Sequence, residues 1–113
     1  MNVTTESYGH AVILNLKGEF TEDSISSVRQ AVVHQLESDD VVDIVFNLES
    51  VPFVDSAALE YLLDVQDSLA DRFGRVKIAC PDENVGLILE FNRLDSTFEV
   101  FKETHEAVKS ATV

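Results

Sequence analysis

The chain has 113 residues, of which 45% are hydrophobic and 26% charged, and it carries a formal net charge of −13 at pH 7. That length is one domain with a single core, and the acidic balance disfavours nucleic-acid binding and docking on an anionic membrane, since both need a basic surface. No apolar run is long enough to span a bilayer, and the opening MNVTTESYGH lacks a signal peptide's basic and apolar regions, so a cytoplasmic protein without membrane insertion is expected.

In chain order, Asn2 to Ser7 alternates weakly and reads as an edge strand. Tyr8-Gly9-His10 is a hairpin loop containing Gly, and Ala11 to Leu16 a stronger strand. Thr21 to Ser24 offers several helix caps. From Ile25 the apolar residues Ile25, Val28, Val32 and Leu36 recur at helical spacing until the polar stop Glu37-Ser38-Asp39-Asp40. Ile44, Val45, Phe46 and Leu48 form a compact run that suits a strand covered on both faces. Val51-Pro52-Phe53-Val54 is an apolar connection in which Pro52 excludes a continuous helix.

A long helix then starts at Asp55-Ser56. Leu59, Leu62, Leu63, Gln66, Leu69, Ala70 and Phe73 make its core stripe, with Gln66 the one polar interruption and Gly74 in the usual place for a C-cap. Val76 to Cys80 is a short β-branched strand closed by Pro81-Asp82. Asn84 to Asn92 reads as a short helix packed tightly on the sheet, with Gly86 a mild cost inside it. Phe98 to Phe101 gives a last short strand and Thr104 to Ser110 a C-terminal helix, fraying beyond Ala111. The order ββαβαβαβα implies an α/β domain over residues 1–113. Its sheet is mixed and mainly parallel, with an N-terminal hairpin, right-handed crossovers and about four helices packed on it.

Enzymatic constellations are poor. There is no GxGxxG, P-loop, GxSxG or HExxH, the three histidines include no close pair, and the many carboxylates form no paired acid–base site. No catalytic residue, cofactor or metal is expected. Cys80, the one cysteine, cannot form an internal disulfide, which fits a reducing compartment; closing a strand, it reads as a buried structural thiol.

Ser56 sits at a helix N-terminus just past the carboxyl end of a central strand, where functional groups collect in open α/β sheets. Asp55 or Ser56 also suits a plain N-cap. Ser56 is a better candidate for being modified than for catalysis. A phosphoserine carries about −1.5 to −2 charges at neutral pH, and a helix N-terminus accommodates an anion. Along the same helix, Glu60, Asp64, Asp67 and Asp71 form one acidic stripe. Beside it run Ala57, Tyr61 and Val65, which either stand half exposed as an apolar docking strip or widen the core contact.

The segment Leu48 to Leu63, with Asp55-Ser56-Ala57-Ala58-Leu59 after a hydrophobic strand and turn, resembles the STAS family. That family comprises bacterial anti-sigma-factor antagonists and related domains of sulphate transporters, and its signature is Asp-Ser-Ser/Thr-Gly-Leu. Leu16-Lys17-Gly18-Glu19-Phe20, Val76-Lys77-Ile78-Ala79 and Leu94-Asp95-Ser96-Thr97-Phe98 extend the likeness over nearly the whole chain. The resemblance implies the family's α/β fold and a non-enzymatic regulator of the antagonist branch. Ser56 matches the serine phosphorylated there by a kinase that is also an anti-sigma factor, and a PP2C-type phosphatase resets the cycle. Asp55 matches the signature aspartate. Thr21 and Glu22 fall in a loop that lies near that serine in the family. Asp55, Ala57, Ala58, Glu60, Tyr61, Asp64, Val65, Thr21 and Glu22 are then the expected partner surface. Ala57 and Ala58 replace the second Ser/Thr and the Gly, and Thr21 replaces an acidic residue, with Glu22 and Asp23 displaced by one and two positions. Two other classes within the family are an accessory subunit of an ABC-type lipid transport system, docking without phosphorylation, and a scaffold module of a signalling complex.

Overall fold

A computed structural model describes residues 1–111, so the fraying expected beyond Ala111 lies outside the described residues. The chain runs β1 (Asn2–Tyr8), β2 (Ala11–Lys17), a single 3-10 turn (Glu22–Ser24), α1 (Ile25–Leu36), β3 (Asp43–Ser50), α2 (Ser56–Ala70), β4 (Val76–Ala79), α3 (Glu83–Phe91), β5 (Glu99–Phe101) and α4 (Thr104–Ala111). This is the expected ββαβαβαβα order. The five strands lie in sequence order, with β1–β2 antiparallel and the other pairs parallel. Because each crossover steps the same way along the sheet, right-handed connections put α1, α2 and α3 on one face.

That face holds the main core: Leu14, Phe46 and Ile78 from the strands meet Val28, Val32, Leu62, Leu69 and Leu89 from the helices. The opposite face has a smaller core of Ile13, Val45, Ala79 and Ala107, covered by α4. β3 is therefore buried on both faces, as its continuous apolar run requires. β1 is the polar edge. It joins β2 through a two-residue loop in which Gly9 takes φ +59, the positive region that tight hairpins need.

Several local expectations give way to tertiary packing. α2 ends at Ala70 rather than Phe73, in a Schellman pattern: Gly74 N donates to Leu69 O at 2.8 Å and Phe73 N to Ala70 O at 3.0 Å. The residue with positive φ is Phe73, at +61, not Gly74. The reversal turns Phe73 out to 98% exposure, so neither it nor the exposed Ala70 belongs to the core stripe. Gly74 is required for a different reason. A Cβ there would stand 1.6 Å from the Val42 carbonyl oxygen. Gln66, the polar interruption, accepts a hydrogen bond from Val76 N at 2.8 Å, where β4 begins.

At the amino ends of the strands, the second face holds buried charge. Lys77, 3% exposed, has its Nζ 3.6 Å from Asp43 Oδ2 and 3.9 Å from Glu99 Oε2, while Asp43 Oδ1 accepts from Arg75 N at 2.8 Å. Arg72, just past α2, donates to the carbonyls of Leu36, Ser38 and Val41, closing the end of α1. Neither contact is visible in local spacing.

Candidate functional site

The Asp55-Ser56 step is held by two chain segments that run side by side past the carboxyl ends of β2 and β3. The β2–β3 register shifts beyond Asn15, and Gly18 N donates to Ser50 O at 3.1 Å. Phe20 then pairs with Val54: Phe20 N donates to Phe53 O at 2.9 Å and Asp55 N to Phe20 O at 3.2 Å. The buried Phe20, Val51 and Val54 anchor both segments in the main core.

Asp55 is the pivot. It is the N-cap of α2, with extended backbone, and its Oδ1 accepts from Ala58 N at 2.8 Å. Its Oδ2 accepts from Glu22 N at 3.0 Å. One carboxylate thus ties the start of α2 to the turn containing Thr21 and Glu22, 33 residues earlier in the chain. Ser24 firms up that turn, accepting from Thr21 N at 2.9 Å and donating to Glu19 O at 3.0 Å.

Ser56 is the first residue of α2 and is exposed. Of the N–H groups that open the helix, Ala58 N is taken by the Asp55 carboxylate and Leu59 N by the Asp55 carbonyl at 3.1 Å. Those of Ser56 and Ala57 stand at the open end, toward which the helix dipole presents partial positive charge. No acidic side chain lies in the first helical turn. Glu22, Asp23 and Glu60 are exposed, Thr21 and Ala57 half-buried. This end of the molecule therefore combines a hydroxyl, two helix N–H groups and a surrounding of negative charge.

Glu60, Asp64, Asp67 and Asp71 are all exposed, one acidic stripe along the outer face of α2. In the strip beside it only Ala57 reaches the surface. Tyr61 is 7% exposed, and Val65 and Ala58 are buried in the main core. Of the two readings open for Tyr61 and Val65, the widened core contact is the correct one. α1 lies against that flank, with the Arg29 guanidinium 5.3 Å from the centre of the Tyr61 ring. Burial pushes the Tyr61 phenol up to about 12, with Arg29 opposing the rise and Asp64 adding to it. Ala58 is likewise buried behind the cap, so it shapes the site from beneath and offers no surface.

Elsewhere the chemistry is bland. Cys80 is half-buried rather than buried and stands just past β4 with φ +54. Burial, aided by the Glu49 carboxylate, pushes its thiol up, which keeps it protonated and weakly nucleophilic at neutral pH. His34 and His105 are exposed, each near a glutamate. Among the described residues no group of His, Cys, Asp and Glu is arranged to hold a metal ion.

The family model for the STAS domain matches residues 2–107. The chain belongs to the STAS domain family. No curated protein matches it. Among solved structures, this STAS domain superimposes on TM1081 from Thermotoga maritima with a TM-score of 0.89 at 20% identity, covering 98% of this chain and 95% of that one. An anti-sigma factor antagonist from Mycobacterium paratuberculosis gives 0.86 at 18% identity over 99% and 94% of the two chains. The Bacillus antagonist SpoIIAA in its unphosphorylated form gives 0.82 at 19% identity over 99% and 98%, and its phosphorylated form 0.75 at 20% identity over 97% and 99%. At these identities the likeness establishes the fold, a five-stranded mixed sheet with four helices.

Proposed function

We propose that this STAS domain is an anti-sigma-factor antagonist, a cytoplasmic, non-enzymatic binding protein that docks on an anti-sigma factor acting also as a serine kinase. In this reading Ser56 is the phosphorylation switch and a PP2C-type phosphatase restores it. The observation that carries the proposal is the exposed Ser56 at the start of α2, with Asp55 beneath it bonded to both Ala58 N and Glu22 N. This is a surface serine on a rigid, doubly anchored step, a geometry a kinase can reach without unfolding the domain. Structural likeness to antagonists, one of them solved in both phosphorylation states, supports the same reading.

The docking surface comprises Ser56, Ala57 and Glu60 on α2, with Thr21 and Glu22 on the adjoining turn and Asp64 further along the acidic stripe. Asp55 and Ala58 hold its shape. A phosphate on Ser56 is accommodated by the helix N-terminus, so it leaves the fold intact. It acts instead on the partner, adding about −1.5 to −2 charges where Glu22, Asp23 and Glu60 already stand and removing close packing against Ala57. Ala57 and Ala58 in place of Ser/Thr and Gly make Ser56 the single hydroxyl of the signature, so one phosphosite is expected. Mass-spectrometric mapping of the protein recovered from its host tests this. Phosphate on Ser56 supports the switch. A protein never modified at Ser56, across growth conditions, moves the reading to the ABC-transport accessory or scaffold classes.

A further inference from the structure

The connection into α2 and the flank of α3 beside it carry large apolar side chains without cover. Asn84 Nδ2 donates to the Pro52 carbonyl at 3.1 Å, which fixes that flank of α3 against the connection. Leu87, Ile88 and Phe91 follow Asn84 at i+3, i+4 and i+7 and so share its flank. Ile88 is partly buried against the main core, but Leu87 is 57% and Phe91 89% exposed. These four residues line an open groove along α3. Phe53, which follows the Pro52 carbonyl held by Asn84, is also exposed. Exposed apolar residues gathered on one flank, rather than scattered singly, mark an interaction surface.

Charge selects the occupant. α2 presents Glu60, Asp64, Asp67 and Asp71, all exposed, and has no Lys or Arg between Ser56 and Ala70; α3 adds exposed Glu83 and Glu90. A second copy would bring another −13 against this surface, and an anionic bilayer would be repelled by it. We infer that the α3 groove receives an amphipathic helix of a protein partner. The partner's apolar side chains at i, i+3 or i+4 and i+7 enter beside Leu87, Ile88 and Phe91, and its Lys and Arg face Glu90 and Glu83, which flank the same residues. The inference rests on the reading of this end of the molecule as a protein-docking surface. It extends that surface onto α3 residues which the Ser56 switch does not use.

The test is an NMR titration of the 15N-labelled full chain with a helical peptide of about 18 residues, five turns, bearing Leu on one face and Lys on the other. A twin peptide with Glu in place of Lys serves as the charge control. The expected result is saturable shifts concentrated at Asn84, Leu87, Glu90 and Phe91, with no binding of the Glu twin. The double variant Leu87→Ser/Phe91→Ser alters only exposed side chains and so keeps its fold. It is expected to bind the Leu/Lys peptide about tenfold or more weakly. Unchanged affinity in that variant, shifts spread over the whole acidic surface, or equal binding of the Glu twin would each overturn the inference. So would a wild-type dimer that the double variant turns into monomer, or capture by uncharged phosphatidylcholine vesicles. Ser56→Asp run beside it keeps the two proposals apart. Because the groove does not use Ser56, that variant should bind the peptide as wild type does, and loss with Leu87→Ser/Phe91→Ser supports the groove whatever becomes of the switch.

Discussion

Replacing Asp55 with Ala removes both carboxylate contacts that hold the Ser56 step. Loss of an N-cap costs about 1 kcal/mol, within a range of roughly 0.5–2. The second contact is a charge-assisted bond to the Glu22 amide at 3.0 Å; such bonds contribute about 1.5–3 kcal/mol when shielded. Asp55 is only half-buried, so water recovers part of that, and the two losses together come to about 2 kcal/mol. In a domain of this size each kcal/mol moves Tm by roughly 4–8 °C, so a fall of about 10 °C is expected. Asp55→Asn divides the effect. Its amide oxygen can still cap Ala58, but its NH2 cannot accept from Glu22, so about half the loss is expected. Urea unfolding gives the free energies, and amide hydrogen exchange at Glu22 and Ala58 shows which contact went. An Ala variant within about 0.5 kcal/mol of wild type, or a Glu22 amide with unchanged protection, would refute the pivot.

Tyr61→Ala empties a core position and should cost about 3–5 kcal/mol by denaturant unfolding. Its phenol is raised from 10.0 to about 12, so the neutral form's contribution is complete below pH 10 and disappears as pH climbs toward 12; Tyr61→Phe should flatten that alkaline loss. Gly74→Ala drives a methyl into the Val42 carbonyl and should cost at least about 2–3 kcal/mol, with thermal unfolding as the check. Gly86→Ala, where a Cβ meets nothing within 4 Å, should stabilise by roughly 0.5–1 kcal/mol in the same assay. Asp43→Ala takes one of two carboxylates from the buried Lys77 ammonium, Glu99 remaining, and leaves the Arg75 amide without its acceptor, so it should cost about 2–3 kcal/mol; adding Lys77→Met should recover part of it in a double-mutant cycle.

The pattern of elements was legible because each carries its own period. The unbroken run in β3 indicates two covered faces, and α4 supplies the second cover. Leu59, Leu62 and Leu69 mark the buried side of α2 without outside help. The width of that side was not legible, because Tyr61 is buried by α1, a neighbour that spacing within α2 cannot reveal. Phe73 fits the helical period yet faces water, because the chain reverses one residue earlier than Gly74 suggests. The bond from Glu22 to Asp55 spans 33 residues. Spacing cannot deliver such a contact; only the likeness to a known family brought those two segments together. The buried Lys77, read as an ordinary strand residue, escaped for the same reason, since Asp43 is distant in sequence. The exposed flank of α3 did leave a trace. Val85, Leu87, Ile88, Leu89 and Phe91 are more apolar residues than one core stripe can bury, and that excess, taken as tight packing, was the sign of a second apolar face.

The central claim is that the state of Ser56 governs partner docking. The most direct measurement captures partners from host lysate on wild type and Ser56→Asp side by side, with Ser56→Ala as the unmodifiable reference, and identifies them by mass spectrometry. Wild type and Ser56→Ala are expected to capture a kinase-type ATPase with an associated sigma factor, and Ser56→Asp to lose it while the melting temperature stays unchanged. The same proteins captured equally by all three, transporter subunits above all, would contradict the switch and leave Ser56 as the first residue of a helix and nothing more.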